Sequence, residues 1–280
     1  MIDWKKHTFE VLKTLNHRAK KSLGQNFLIN KHLVNQIVQV ADIQPSDHIL
    51  EIGGGIGILT DSLVKSGAKI TVIEKDKGLA EYLRETFPTV EVIIADALRV
   101  DWPENCRIIS NLPYSISTPL LGKILHHSTR DAILMLQKEV AQRCIAIPGT
   151  ENYSRLSILC ELHAERKIIF NLGPESFVPP PKVDSSVIHV KVISKPIENT
   201  HEELELLARN LFSLRRRVLR SVIRGFLKRK VPDPSIWDNV PYQEQRISHL
   251  DISQLDEILT YLKTHDVWPL AGETNASNNY

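Results

Sequence analysis

Short apolar runs bounded by polar residues recur through the first two-thirds of the chain, and apolar positions at helical spacing dominate the last third. Ile49, Leu50 and Ile52 form one such run, predicted as a parallel strand buried on both faces. A glycine-rich stretch, Gly53 to Gly57, follows, and Ile58, Leu59, Leu63 and Val64 then recur at helical spacing. Strand, glycine loop and helix in that order predict the first crossover of a nucleotide-binding α/β sheet. Lys69–Ile73, Val90–Ala95 and Arg107–Ser110 read as further strands, and the alternating Val187–Val192 as a late strand of the same sheet. Leu33, Ile37, Val38 and Val40 predict a helix covering that sheet. Gln137-Lys138-Glu139 reads as a strand-to-helix junction with a structural role. Around Pro196 a polar stretch, 194–200, breaks the pattern. Beyond it three helices are predicted, over 202–213, 215–230 and 252–263.

A chain of 280 residues has room for one large domain and one small one. The pattern predicts a basic N-terminal arm over 1–21, a sheet domain over 22–195, a helical domain over 196–271 and a disordered polar tail over 272–280. No apolar run approaches the roughly 20 residues of a membrane span, and no signal-peptide pattern opens the chain. Cys106, Cys144 and Cys160 are too few and too scattered for a disulfide framework or a zinc site, so reduced thiols, a cytoplasmic location and no metal are expected. Net charge is only +2, but it is unevenly spread. From Arg215 to Lys230, eight cations and no carboxylate fall in sixteen residues. A charged helix face is commonly just solvated; this density favours RNA-backbone binding through Arg215, Arg216, Arg217 and Arg220.

Candidate chemistry sharpens the reading. The glycine loop is E-x-G-x-G-x-G from Glu51, not the dinucleotide pattern G-x-G-x-x-G, because Ile58 and Thr60 stand where its last glycine would be. Glu74 ends the next strand 19 residues after Gly55, a spacing suited to accepting a ribose diol. Asp96 ends the third strand, where it can receive the exocyclic amine of a purine. Each carboxylate alone is commonly a solvated strand end. Together at one sheet edge they indicate an adenosine-like ligand, and S-adenosylmethionine fits better than NAD. The fourth strand runs into Asn111-Leu112-Pro113-Tyr114. An adenine N6 amine is a poor nucleophile, its lone pair being delocalised into the ring. Asn111 and the Leu112 carbonyl can each accept one amine proton, Pro113 restricts Leu112 to extended geometry, and Tyr114 offers a face to an unstacked base. Phe177-Val178-Pro179-Pro180-Pro181 is a stiff extended segment that suits Phe177 to a preset stacking surface.

These segments resemble the ribosomal RNA adenine N6,N6-dimethyltransferases of the small-subunit type. The resemblance rests on Gly24-Gln25-Asn26-Phe27-Leu28, Glu51 to Gly55, Val72-Ile73-Glu74, Asp96-Ala97, Asn111 to Pro119, Met135 to Val140 and Phe177 to Ser185. It implies a Rossmann-like S-adenosylmethionine-dependent methyltransferase sheet with a small C-terminal all-helical domain. It implies cofactor contacts at Gln25, Asn26, Leu28, Gly53, Gly55, Glu74, Asp96, Ala97 and Asn111. The target adenine would be held by Asn111, Leu112 and Tyr114, with Phe177 on its other face. The implied substrate is small-subunit ribosomal RNA in a pre-assembled subunit during ribosome biogenesis, and the implied enzyme is monomeric. Two positions depart from the family: Gly54, where proline is common, and Ser115, often asparagine. Two other classes compete, a large-subunit rRNA dimethyltransferase and a non-enzymatic assembly or transcription factor on the same fold. The Phe177 segment and the arginine run favour the small-subunit type, and intact Glu74, Asp96 and Asn111 favour an enzyme.

Overall fold

Seven strands in the order β4-β3-β2-β5-β6-β9-β7 carry the first part of the molecule. The structure, a computed structural model, describes residues 2–19, 24–193, 197–226 and 234–268. Contacts divide the chain into two units, Met1–Ala141 with Arg166–Val192, and Gln142–Glu165 with Ile193–Tyr280.

The first unit opens with helix α1, Trp4–Thr14, capped by Asp3, which accepts the Lys6 amide at 3.0 Å. Trp4, Thr8 and Val11, one turn apart, are buried, so the segment expected as a basic arm packs one helix face on the sheet domain. Its lysines Lys5, Lys6 and Lys13 stay exposed; Lys20 and Lys21 lie outside the described residues. The two-residue strand β1, Phe27–Leu28, and helix α2, Lys31–Ala41, come next. They are followed by β2 His48–Ile52, α3 Ile58–Val64, β3 Lys69–Glu74, α4 Lys77–Thr86, β4 Glu91–Ile94, β5 Arg107–Asn111, α5 Ser117–His126, β6 Asp131–Gln137 and α6 Lys138–Ile145. After α7, Arg155–His163, come β7 Ala164–Leu172, β8 Phe177–Val178 and β9 Ser185–Val192.

Strands β4, β3, β2, β5 and β6 are mutually parallel, and β9 pairs antiparallel with β6. From β2 the chain adds strands first on one side and then on the other. The order therefore reverses between β2 and β5, where an open α/β sheet leaves a crevice at the carboxyl ends of its strands. Ile49, Leu50, Val72, Ile108 and Ile133 are at most 2% exposed, which explains why these strands read as unbroken apolar runs. At the opposite edge, Arg107 starts β5 and binds Asp47 at 2.7 Å and Asp131 at 2.8 Å.

The second unit has its own core, joining Tyr153, Ile158 and Leu162 to Leu204, Leu207, Leu211, Leu255 and Leu259. Its helices are α7, α8 His201–Phe212, α9 Leu219–Phe226 and α10 Ile252–Thr264. The expected boundary after residue 195 thus holds only in part: Gln142–Glu165 belongs here, because α7 and Tyr153 bury their apolar side chains against α8 and α10 residues. The polar tail, 272–280, lies outside the described residues. The 215–230 helix is also corrected. Residues 215–218 form a turn, and helix begins at Leu219. Backbone bonds Ile247 N–Arg217 O (3.0 Å) and Ser248 N–Arg215 O (2.9 Å) pair that turn with 245–248. Residues 227–230 of the run lie outside the described residues.

Candidate active site

The carboxyl ends of β2, β3, β4 and β5 open into one cavity. Its walls include Gln25, Asn26, Leu28, Gly53, Gly55, Glu74, Asp96, Ala97, Asn111, Leu112 and Tyr114. Every expected cofactor residue is therefore brought together, from five separate stretches of chain.

Gly53 and Gly55 lie at φ +79° and +56°, a region that side chains with a Cβ adopt rarely. The turn they allow aims the Gly55 amide at Glu74 Oε2, 3.1 Å away. The Asp76 amide donates to the other oxygen, Oε1, at 2.8 Å, while the Asp76 carboxylate caps α4. Both oxygens of Glu74 are thus fixed by backbone, and a carboxylate oxygen can accept more than one hydrogen bond, so a ligand can share them. Burial raises the Glu74 pKa; the Asp76 and Gly55 amides oppose that rise. Glu51, 2% exposed and bonded by Thr60 at 2.7 Å, is pushed up to about 8 by burial, with the Glu74 charge adding to the rise.

Asp96 differs. Lys75 at 2.9 Å and the Leu98 amide at 3.0 Å hold its carboxyl below the usual range, so it is a charged acceptor at neutral pH. The Ala97 amide beside it makes no hydrogen bond among the described residues. An anionic acceptor next to a free amide donor matches the N6 and N1 edge of adenine.

On the other wall, Asn111 Nδ2 donates to the Asn26 carbonyl at 3.4 Å. Its Oδ1 is buried with no hydrogen-bond partner. A buried acceptor left unmet costs about 1–3 kcal/mol, and native proteins keep few of them. The Leu112 amide donates to Met135 at 3.2 Å, and the Leu112 carbonyl accepts nothing among the described residues. Two acceptors at the end of β5 therefore await donors. Tyr114 hydrogen-bonds Ser185 through its hydroxyl, and burial pushes its pKa up to about 12, so it stays neutral.

Phe177 is drawn to this region because β8 pairs with β1, Leu28 opposite Phe177. Its ring is 2% exposed and meets Tyr114 edge-on, centroids 6.3 Å apart at 71°. It is a buried neighbour of Tyr114, not the open stacking surface that the stiff segment suggested, because the ribbon turns it inward. His17 and Lys75 escaped the sequence reading. His17 Nε2 meets Gln25 Oε1 at 3.1 Å, and only folding reveals that contact. Lys75 carried a signal, a cation directly after an acidic strand end.

The comparisons follow the same line. Residues 16–258 match the family model described as ribosomal RNA adenine dimethylase. The chain belongs to the ribosomal RNA adenine dimethylase family. It is 36% identical over 268 residues to a probable ribosomal RNA small subunit methyltransferase A of Pyrococcus furiosus, covering 92% of this chain and 97% of that one. Among solved structures, it is similar to a dimethyladenosine transferase from Plasmodium falciparum, with TM-score 0.75, 28% identity, and 86% and 98% of the two chains covered. It is also similar to the 23S rRNA methyltransferase ErmE, with TM-score 0.64, 25% identity, and 85% and 100% covered. As a member of the dimethylase family the chain is an S-adenosylmethionine-dependent methyltransferase. Its residues fit that cofactor: the fixed Glu74, the glycine turn and the unmet Asn111 oxygen suit a ribose, an amino acid chain and a reacting centre. The family departure at Gly54 has a local reason. A Cβ there would come within 2.7 Å of Val72 and 2.8 Å of Leu83, whose side chains fill the space. Ser115 packs on Gly24, where an added Cβ would meet its amide and hydroxyl at 3.0 Å.

In the second unit, Arg216, Arg217, Arg220 and Arg246 are exposed. Arg220 pairs with Glu244 at 2.9 Å, whereas Arg216, Arg217 and Arg246 make no ion pair among the described residues. Arg215 is different: its guanidinium donates to the Tyr153 carbonyl and so ties the turn to the unit's core.

Proposed function

We propose that this enzyme converts adenosines of small-subunit ribosomal RNA to N6,N6-dimethyladenosine, with Asn111 and Leu112 as the groups that orient the attacking amine. The unmet Asn111 Oδ1 carries this reading. When bound, S-adenosylmethionine supplies an electrophilic methyl group on a positively charged sulfur. Glu74 would hold the ribose hydroxyls, Asp96 and the Ala97 amide the adenine edge, and Gly53, Gly55, Gln25, Asn26 and Leu28 the rest of the cofactor. Asn111 Oδ1 and the Leu112 carbonyl would each accept one proton of the target amine. Holding both N–H groups in the plane of two acceptors turns the nitrogen lone pair toward the donor. As nitrogen gains positive charge its protons become more acidic, so both acceptor bonds strengthen along the reaction. Tyr114 would supply an apolar wall for the extruded base, and Phe177 would brace Tyr114 from behind.

Arg216, Arg217 and Arg246 are suited to phosphates of folded RNA, and Arg215 supports the turn that presents them. In this reading the enzyme acts as a monomer on a pre-assembled small subunit. Cys106, Cys144 and Cys160 are buried and not joined by disulfides, which suits the reducing cytoplasm. The test is transfer of labelled methyl to isolated, unmodified small and large subunits, followed by primer extension on both rRNAs. Dimethyladenosine stops in small-subunit rRNA alone are expected; stops confined to the large subunit would overturn the substrate assignment.

A further inference from the structure

Downstream of the tetrapeptide, α5 carries Lys123 to the back of the loop whose Asp96 and Ala97 line the cavity. Lys123 Nζ donates to the Ala97 carbonyl at 3.0 Å and to the Val100 carbonyl at 2.5 Å, and it lies 4.5 Å from the centre of the Trp102 ring. The Trp102 indole N–H donates to the same Ala97 carbonyl at 2.9 Å, and Trp102 is 6% exposed. The loop between is a tight turn, with Arg99 and Val100 amides bonded to the Asp96 carbonyl at 2.8 and 3.2 Å. Its Asp96 side chain and Ala97 amide face the cavity that also contains Asn111 and Leu112.

We infer that Lys123, with Trp102, is a positioning residue that sets the enzyme's selectivity for the adenine ring of its cofactor. The inference rests on the assignment of Asp96 and Ala97 to the adenine edge. Adenine offers a donor at N6 and an acceptor at N1, whereas hypoxanthine offers an acceptor at O6 and a donor at N1. An anionic Asp96 beside the Ala97 amide therefore reads the difference only if peptide 96–97 is held at one angle. The Ala97 carbonyl belongs to the next peptide, and two donors converging on it fix the turn. Because α5 begins directly after the 114–116 turn, the same side chain links this loop to the segment that holds the reacting amine. Lysine suits the task, since a three-donor ammonium can serve two carbonyls and an indole face at once.

The test is calorimetric titration of the full chain with S-adenosylhomocysteine and with its inosine counterpart. Wild type should prefer the adenosyl compound, and Asp96→Asn should collapse the preference. Lys123→Met, which keeps the apolar stem over Trp102, should narrow the ratio of the two affinities by roughly threefold to tenfold, the range of one misplaced hydrogen bond. Lys123→Arg, which restores two donors, should recover most of it. A general loss of stability would weaken both ligands together and leave the ratio alone. An unchanged ratio in Lys123→Met, with Asp96→Asn collapsed, overturns the inference. An unchanged ratio in Asp96→Asn overturns the adenine-site assignment instead. Should Lys123→Met fail to fold, Trp102→Phe removes the other donor to Ala97 and carries the same expectation and the same refutation.

Discussion

Replacing Glu74 with Gln keeps the shape of the side chain and removes one acceptor and the charge. In the native site Gly55 N–H donates to Oε2 at 3.1 Å and Asp76 N–H to Oε1 at 2.8 Å. Whichever way the new side-chain amide turns, its NH2 confronts one of those two donors. Two effects then oppose each other in the free protein. One backbone bond is lost, about 1 kcal/mol, but a carboxylate charge that burial disfavours, as the raised Glu74 pKa shows, is also removed. Folding stability should therefore change little. Cofactor binding has no such compensation, because two ribose hydroxyls lose a charged acceptor and regain at most one neutral bond. Two hydrogen bonds sharing one carboxylate, at about 1.5–2 kcal/mol each, less one neutral bond of about 1, give an expected net loss of about 2–3 kcal/mol. That corresponds to a roughly 30- to 150-fold rise in Kd. Calorimetric titration with S-adenosylhomocysteine, beside a thermal melt of the same sample, measures both quantities. A folded Glu74→Gln protein with wild-type affinity would refute the placement of the ribose at Glu74.

Asn111→Ala should lower the single-turnover methylation rate by roughly 10²–10³ at saturating cofactor and RNA, as loss of a group that strengthens toward the transition state does; a wild-type rate there would end its catalytic assignment. Arg216→Gln, Arg217→Gln and Arg246→Gln should each weaken RNA binding and reduce the slope of log K against log salt by about one, with cofactor affinity unchanged. Arg215→Gln should instead lower the melting temperature, because its guanidinium holds the Tyr153 carbonyl; equal melting temperatures for Arg215→Gln and Arg216→Gln would contradict that division. At the other sheet edge, burial favours neutral Asp47, but the Gln44 amide and Arg107 outweigh it and lower its pKa. A depressed carboxylate stabilises the fold above its unfolded pKa, about 3.9, and that contribution is lost as pH falls through the folded value. Asp47→Asn should therefore cost about 3 kcal/mol or more at pH 7, leaving Arg107 with one carboxylate, and the gap to wild type in melts should narrow below about pH 4. A gap that did not change with pH would show that charge is not the cause.

The parallel strands were legible because burial on both faces puts apolar residues side by side, Ile49-Leu50 in β2 and Ile108-Ile109 in β5, where a half-exposed strand would alternate. The cavity was legible too, since strands ending in Gly53, Glu74, Asp96 and Asn111 must share an edge once they are parallel neighbours. What escaped depends on partners remote in sequence. β7 opens with Glu165, Arg166 and Lys167, and its short Ile168-Ile169-Phe170 run is only half-buried because the strand lies at the sheet's edge. α1 looked like a charged arm because its lysines draw the eye away from the three residues it buries. Arg215 and Arg216 are adjacent and chemically identical, yet only the fold gives the first a carbonyl and leaves the second exposed. Phe177 was read from its prolines, whereas its burial comes from pairing with Leu28, more than half the chain away.

If Asn111 and Leu112 hold the target amine as proposed, the pair of waiting acceptors would also act as a counter. An unmodified adenine brings two amine protons and can satisfy both. After one methyl transfer a single proton remains, so one acceptor still holds the base while the other must give way to a methyl group. After the second transfer no proton is left, and neither oxygen has anything to bind. The hold on the amine would thus decline in two steps and vanish at the finished product, which would make dimethylation self-terminating at the base and leave only the phosphate contacts to release.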